Sequence, residues 1–321
     1  MTDQWISLDF RHLTALRAIA DEGSFKGAAR ALGYTPSAIS QQIAGLERVI
    51  GARVIAREHG RQAVGVTEPG RILLRHMNAI EARLNAAKSE IDALTEGTSG
   101  PLRLGVYESV GARLLPEVVG RYRDLFPRVR VEVDEALSDL DLLRQVERGL
   151  LDLAFTLLPL PPGPFDSKLV LRDPWVLVAQ TGSEHAALRS GCLTLRTVGE
   201  LPLVSFRAPR AIDSVLDQFR AVGIEPRLVL QSDYNDAVQE LAAAGAGVAL
   251  MPRLAVNPHD ERTTTVELGD LLSPREVAVA WHSERMVSEA FSTFTSLAAE
   301  VGASVEAVGA DGSEWRRSAV S

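Results

Sequence analysis

Residues 21–57 read DEGSFKGAARALGYTPSAISQQIAGLERVIGARVIAR, and this stretch decides how the 321-residue chain is organised. Gly23 breaks a preceding helix whose apolar residues Phe10, Leu13, Leu16, Ile19 and Ala20 recur at helical spacing. Ser24 is a good N-cap for a short helix, FKGAARAL, that buries Phe25, Ala28, Ala29 and Leu32. Gly33 ends it, and Tyr34 forms the turn. Thr35 caps a third helix with Pro36 at its first position, where the missing N–H is harmless. That helix runs to Gly51 with Ile39, Ile43, Leu46 and Ile50 as its apolar stripe and Ser37, Ser40, Gln41 and Gln42 on the other face. A short helix, a tight turn and a second helix with a small polar N-terminal face describe a helix-turn-helix. Hydroxyls and amides suit base edges in the major groove. Spacing alone also allows a generic three-helix domain with a solvated polar face.

Working outward, ARVIAREHGRQAVGV reads as two short strands around Glu58-His59-Gly60-Arg61, a basic hairpin tip suited to a wing on the backbone or minor groove. Residues 1–66 carry eight basic and six acidic residues, a net +2, which leaves −10 of the total −8 on the remainder. A mildly basic head on an acidic body fits a modular nucleic-acid binder. Thr67 caps a helix from Glu68. Along it Leu73, Met77, Ile80, Leu84, Ala87, Ile91 and Leu94 alternate steps of four and three, the heptad seam of a coiled coil. Such a seam calls for a partner helix, the alternative being a single helix packed on the protein's own body. Gly97-Thr98-Ser99-Gly100-Pro101 ends it as a hinge.

From Leu102 strands and helices alternate, which predicts an α/β body with mainly parallel sheets. LRLGVY, VRVEVDEA and LLDLAFTLL are strands separated by helices GARLLPEVVGRYRDLFP and SDLDLLRQVERG. The run Pro159–Pro164 interrupts the pattern. A second set follows, with LVLRDPWVLVAQ as one strand, and REVAVAWHS plus MVSEAFSTFTSLAAEV rejoin the first. The expected domains are a head (1–66), a linker helix (67–97), lobe I (101–160 plus 267–301), lobe II (161–266) and a disordered tail (302–321). Two α/β lobes place a ligand cleft where strand ends meet helix N-termini. That rule selects Tyr107, Glu108, Ser109, Ser138 and Thr156 from lobe I, and Ser205, Phe206, Arg207, Tyr234 and Asn235 from lobe II. Arg207 and the helix N-termini favour a carboxylate or amino-acid effector, while Glu108 argues for an amine.

The head resembles that of LysR-type transcriptional regulators. The GSF-x-x-AA-x-x-L run from Gly23, the S-x-x-I-x-x-LE run from Ser40 and the T-x-x-G of Thr67–Gly70 carry the likeness. It implies a winged helix-turn-helix in which Thr35, Pro36, Ser37, Ser40, Gln41 and Gln42 meet duplex DNA while Arg61 of the wing enters the minor groove. There are three departures from the pattern: Gln41 where arginine is common, Pro36 where a polar base reader is common, and Val54-Ile55 in place of Leu-Phe. Further along, LAAAGAGVALMPR resembles the same family's effector domain, which is similar to periplasmic binding proteins. The likeness implies that Ser109 binds effector and that Leu73, Met77, Ile80, Leu84, Ile91 and Leu94 dimerise, with tetramers common.

No GxSxG elbow, P-loop or GxGxxG is present, and Gly245-Ala246-Gly247 lacks a third glycine, so an enzyme is not expected. A transport binding protein would suit the body alone but not the head. The single Cys192 excludes a two-cysteine switch, and the six scattered histidines form no metal-ligand spacing, so no cofactor or metal is expected. The N-terminus lacks a signal-peptide pattern and no apolar run is long enough for a span, which places the chain in the cytoplasm. The partners expected are double-stranded promoter DNA, a small-molecule effector, further copies of the chain as a homodimer or homotetramer and, where genes are activated, RNA polymerase.

Overall fold

A computed structural model describes residues 8–56, 64–96, 101–207, 209–285 and 287–310. The chain divides into two compact units, 1–84 and 85–321. In the first, α1 (Phe10–Glu22), α2 (Phe25–Leu32) and α3 (Pro36–Ile50) precede a two-stranded ribbon of β1 (Ile55–Ala56) and β2 (Gly65–Val66). Each helix starts on a side chain that accepts from its first turn: Asp9 from Arg11 N–H, Ser24 from Gly27 N–H, and Thr35 from Ala38 N–H. Leu16, Ile19, Ile39, Ile43 and Leu46 are fully buried, each worth about 1.5–3 kcal/mol of burial.

The 29-residue α4 (Glu68–Glu96) follows. Thr67 donates its hydroxyl to Arg53 O at 2.6 Å and accepts Gly70 N–H at 3.3 Å. A Cβ on Gly70 would sit 2.4 Å from Val54 O, so only glycine lets α4 pass this close to the ribbon. Arg17 of α1 ties to α4 through Asn78 and, at 3.9 Å, Glu81. The heptad reading needs correction at its first two positions. Leu73 and Met77 are buried at 7% and 1% exposure in the core of their own head, because the first turns of α4 close the helical triad. Ile80, Leu84 and Ile91 are exposed.

The second unit holds two five-stranded sheets. The first has the order β4 (Val131–Glu135), β3 (Leu102–Val106), β5 (Leu153–Leu157), β12 (Arg275–His282), β6 (Phe165–Asp173). β4, β3 and β5 run parallel, and β12 runs antiparallel to both of its neighbours. The second has the order β11 (Thr263–Glu267), β7 (Trp175–Gln180), β10 (Val248–Pro252), β8 (Leu203–Phe206), β9 (Leu228–Ser232), with β7 antiparallel to β10 and β11. Helices α5 (Glu108–Arg113), α6 (Leu115–Leu125), α7 (Asp139–Glu147) and α11 (Glu289–Ala310) belong to lobe I; α8 (Leu195–Glu200), α9 (Pro209–Ala221) and α10 (Asn235–Ala243) belong to lobe II. The architecture is therefore the expected two-lobed α/β body, with mixed rather than mainly parallel sheets. Each lobe has its own core, centred on Tyr122, Phe155 and Phe294 in the first and Trp175 and Phe219 in the second.

Three boundaries differ from the sequence reading. LVLRDPWVLVAQ is two strands in different sheets: Pro174 offers no N–H to a ladder and turns the chain out of lobe I, so the crossover lies after Asp173 rather than at 160. The helix expected over 111–127 breaks at Leu114, since Pro116 cannot continue the ladder. Residues 302–310, expected in the tail, extend α11. There Glu306 accepts Arg172 N–H at 3.0 Å, and a Cβ on Gly302 would meet Val170 O at 2.3 Å. Strand β11, built on the β-branched run Thr263-Thr264-Thr265-Val266, was not anticipated.

Candidate DNA interface and inter-lobe cleft

On α3 the outward positions are Ser37, Gln41, Ala44 and Arg48, all exposed and one turn apart on a single face. Thr35 and Pro36 are exposed at its N-terminus, and the Thr35 and Ser37 hydroxyls lie 3.0 Å apart. Ser40 is half-buried. Gln42, expected on the outward face, turns inward: its amide oxygen is enclosed and has no partner among the described residues. Arg48 was not singled out as a contact, although its place eleven residues after Ser37 puts it on that face. Arg61 and the wing tip lie outside the described residues, as does the 97–100 hinge. Beneath this face, Glu47 accepts Val54 N–H at 2.9 Å, which anchors the ribbon to the end of α3.

A cavity of about 150 Å³ lies between the lobes. The turn from β3 into α5 contributes Tyr107, Glu108 and Ser109, and the turn from β4 into α7 contributes Leu137, Ser138 and Asp139. Phe206, Arg210, Asp233 and Asn235 face them from lobe II, and Arg275 enters at the start of β12. Of the side chains expected at the cleft, Tyr107, Glu108, Ser109, Ser138, Phe206 and Asn235 line this cavity; Thr156, Ser205, Arg207 and Tyr234 do not. Thr156 is wholly buried and donates to Asp139 at 2.8 Å. Ser205 spends its hydroxyl on Leu250 O at 2.8 Å, joining two strands of the second sheet. Arg207 projects to solvent 3.7 Å from Asp233, and Tyr234 is exposed.

The two arginines at the cavity each face a buried carboxylate. Asp139 accepts from Thr156, from Leu157 N–H at 3.1 Å, and lies 3.5 Å from Arg210. Arg210, from lobe II, also donates to Leu157 O at 2.6 Å and Pro159 O at 2.9 Å in lobe I. Glu108 reaches the other way and accepts Asn235 N–H at the start of α10, at 3.0 Å. Arg275 donates to Asp173 at 2.8 Å and to Ser109 Oγ at 2.9 Å, and its guanidinium lies 5.5 Å from the centre of the Tyr107 ring. Asp173 is 2% exposed and also holds Leu254 N–H at 3.0 Å. Burial pushes its carboxyl up and the Arg275 guanidinium opposes the shift. Burial likewise pushes up the Tyr107 phenol, whose enclosed oxygen has no partner among the described residues. Asp139, Arg210 and Arg275 were missed. The one signal available was the acidic residue directly after Ser138 at a helix start, since the two arginines arrive from distant elements.

Comparison with known proteins gives two family matches: residues 10–71 to the bacterial regulatory helix-turn-helix protein of the lysR family, and residues 95–303 to the LysR substrate binding domain. The transcriptional regulator IlvR of Caulobacter vibrioides is 31% identical over 254 residues, 76% of this chain and 82% of its own length. Among solved structures, a Corynebacterium glutamicum OxyR mutant superposes with a TM-score of 0.60 at 21% identity, covering 95% of this chain and 96% of that one. Full-length CbnR bound to its target DNA superposes with a TM-score of 0.59 at 18% identity, covering 91% and 99%. No helix among the described residues is long and apolar enough to cross a membrane.

Proposed function

The chain belongs to the LysR family of transcriptional regulators, with a DNA-binding helix-turn-helix and an effector-binding domain, and from that premise we propose that it engages promoter DNA as a dimer or tetramer and alters this engagement when a small molecule binds between its lobes. The observation that carries this reading is the outward face of α3. Ser37, Gln41 and Arg48 are exposed there and none supports the head's core, so the face is free to enter a groove. Exposed Ile80, Leu84 and Ile91 on α4, with Leu94 beyond them, supply the self-association seam. An effector that favours one assembly over another shifts the spacing of the heads. The reading places the protein in the cytoplasm, without cofactor or catalytic step, contacting RNA polymerase where it activates.

The test is binding of the purified full chain to duplexes recovered by mapping its sites in its own genome, measured by fluorescence anisotropy at several salt concentrations. Ser40→Ala should relax sequence preference by about 1–3 kcal/mol at one base position. Arg48→Ala should weaken all sequences alike and reduce the salt slope by about 1. Arg61→Ala should act chiefly on sites with a narrow minor groove. A folded protein that binds no duplex at low salt ends the reading.

A further inference from the structure

The inter-lobe cavity is lined by three carboxylates, Glu108, Asp139 and Asp233, and two guanidiniums, Arg210 and Arg275, and the two kinds of charge are not equally committed. Arg275 pairs with Asp173, which lies behind the wall at 2% exposure, and Arg210 faces Asp139 at 3.5 Å while bonding two carbonyls of lobe I. Asp233 lies 3.7 Å from Arg207, which stands outside the lining. Glu108 differs from all of these. Its Oε2 accepts Asn235 N–H at 3.0 Å, while its Oε1 accepts no hydrogen bond and the carboxylate has no cationic partner among the described residues. Asp139 likewise makes its contacts through Oδ2 alone, which leaves Oδ1 uncommitted. A ligand anion therefore has to share an arginine with a carboxylate more than nine-tenths buried. A ligand cation meets a half-buried carboxylate that no arginine, lysine or histidine among the described residues already holds.

We infer that the effector is a small organic cation, an ammonium on an apolar body, whose N–H donates to the uncommitted oxygen of Glu108 while Asp139 adds to the negative field around it. A bond between two full charges is the strong kind of hydrogen bond, and an ammonium has three protons to place. Leu137, Leu140, Leu157 and Phe206 supply the apolar wall for the body, and a cavity of about 150 Å³ admits one the size of a benzene ring with a small substituent. Arg207, which argued for a carboxylate, points to solvent, whereas Glu108, which argued for an amine, lines the cavity. The inference rests on the reading of the cleft as the effector site.

The test holds shape fixed and varies charge. Butyl, cyclohexyl and benzyl frames, each carrying in turn an ammonium, a hydroxyl and a carboxylate, are titrated into the full chain at neutral pH by calorimetry and saturation-transfer NMR. On at least one frame the ammonium should bind roughly tenfold or more tighter than its alcohol and its carboxylate. Glu108→Gln keeps an amide oxygen for Asn235 N–H, so thermal unfolding should be unchanged while that ammonium loses about tenfold or more and the alcohol loses nothing. A carboxylate that served only to cap α10 would leave the ammonium indifferent to this change. Asp139→Asn, which keeps an acceptor for Thr156 and Leu157, is a second variant and should weaken the ammonium in the same direction by about three- to tenfold. Ammoniums no tighter than their alcohols on every frame, a carboxylate that binds tightest, or an ammonium untouched by Glu108→Gln overturns the inference. None of these outcomes touches the DNA measurements above, whose failure would sink the regulator reading and leave the probe results standing.

Discussion

At Asp139 one buried carboxylate serves a hydroxyl, a backbone N–H and a guanidinium from the opposite lobe. Asp139→Ala leaves all three facing a small void, and chemical denaturation should show a loss of about 2–4 kcal/mol. Asp139→Asn, which keeps the acceptor, should cost much less. A second residue-scale prediction concerns Asp9, whose carboxyl is held at about 2 by the Arg11 side chain and then by the Arg11 backbone N–H. Its small capping contribution should be fully present above the ordinary value of 3.8 and disappear as the pH falls through about 2. An NMR titration of the Asp9 carboxyl carbon should give that midpoint, and Arg11→Ala should return it towards 3.8. At this scale the sequence revealed the loop residues and hid the network. Strand ends announce Tyr107, Glu108 and Ser109, because a strand passing into a helix leaves its turn at the sheet's edge. Nothing local tells Arg207 from Arg210, yet the first turns outward and the second spans the cleft. The difference arises because α9 begins between them.

Elements were legible where their periodicity was set by one partner surface. Helices α1 to α3 announce themselves through caps and a clean apolar stripe, and α3 matches its expected start and end. Periodicity failed where one pattern spans two environments. The heptad run on α4 is a single line of apolar residues, but its first two members pack inside the head while Ile80, Leu84 and Ile91 are exposed. LVLRDPWVLVAQ failed for the converse reason: its apolar character is continuous, while its hydrogen-bond partners change sheets at Pro174. The extension of α11 beyond residue 301 is directly testable. Gly302→Ala should destabilise the effector unit by about 1–3 kcal/mol, because the new methyl group meets Val170 O. A neutral result in thermal unfolding would show that α11 ends sooner.

For the whole molecule, head and body have separate hydrophobic cores, so their stabilities can be changed one at a time. Leu84→Asp places a charge on an exposed α4 position and should leave both units folded while lowering the mass seen by sedimentation velocity. An unchanged mass would count against self-association through α4. The burial of Leu73 and Met77 also bears on any attempt to transplant the reading head. A fragment cut at Val66, where the wing ends, would expose the interior of its three helices to water and tend to aggregate. A portable version has to carry the chain past Met77, and whatever is fused behind it inherits a rigid helical stem in place of a flexible tether.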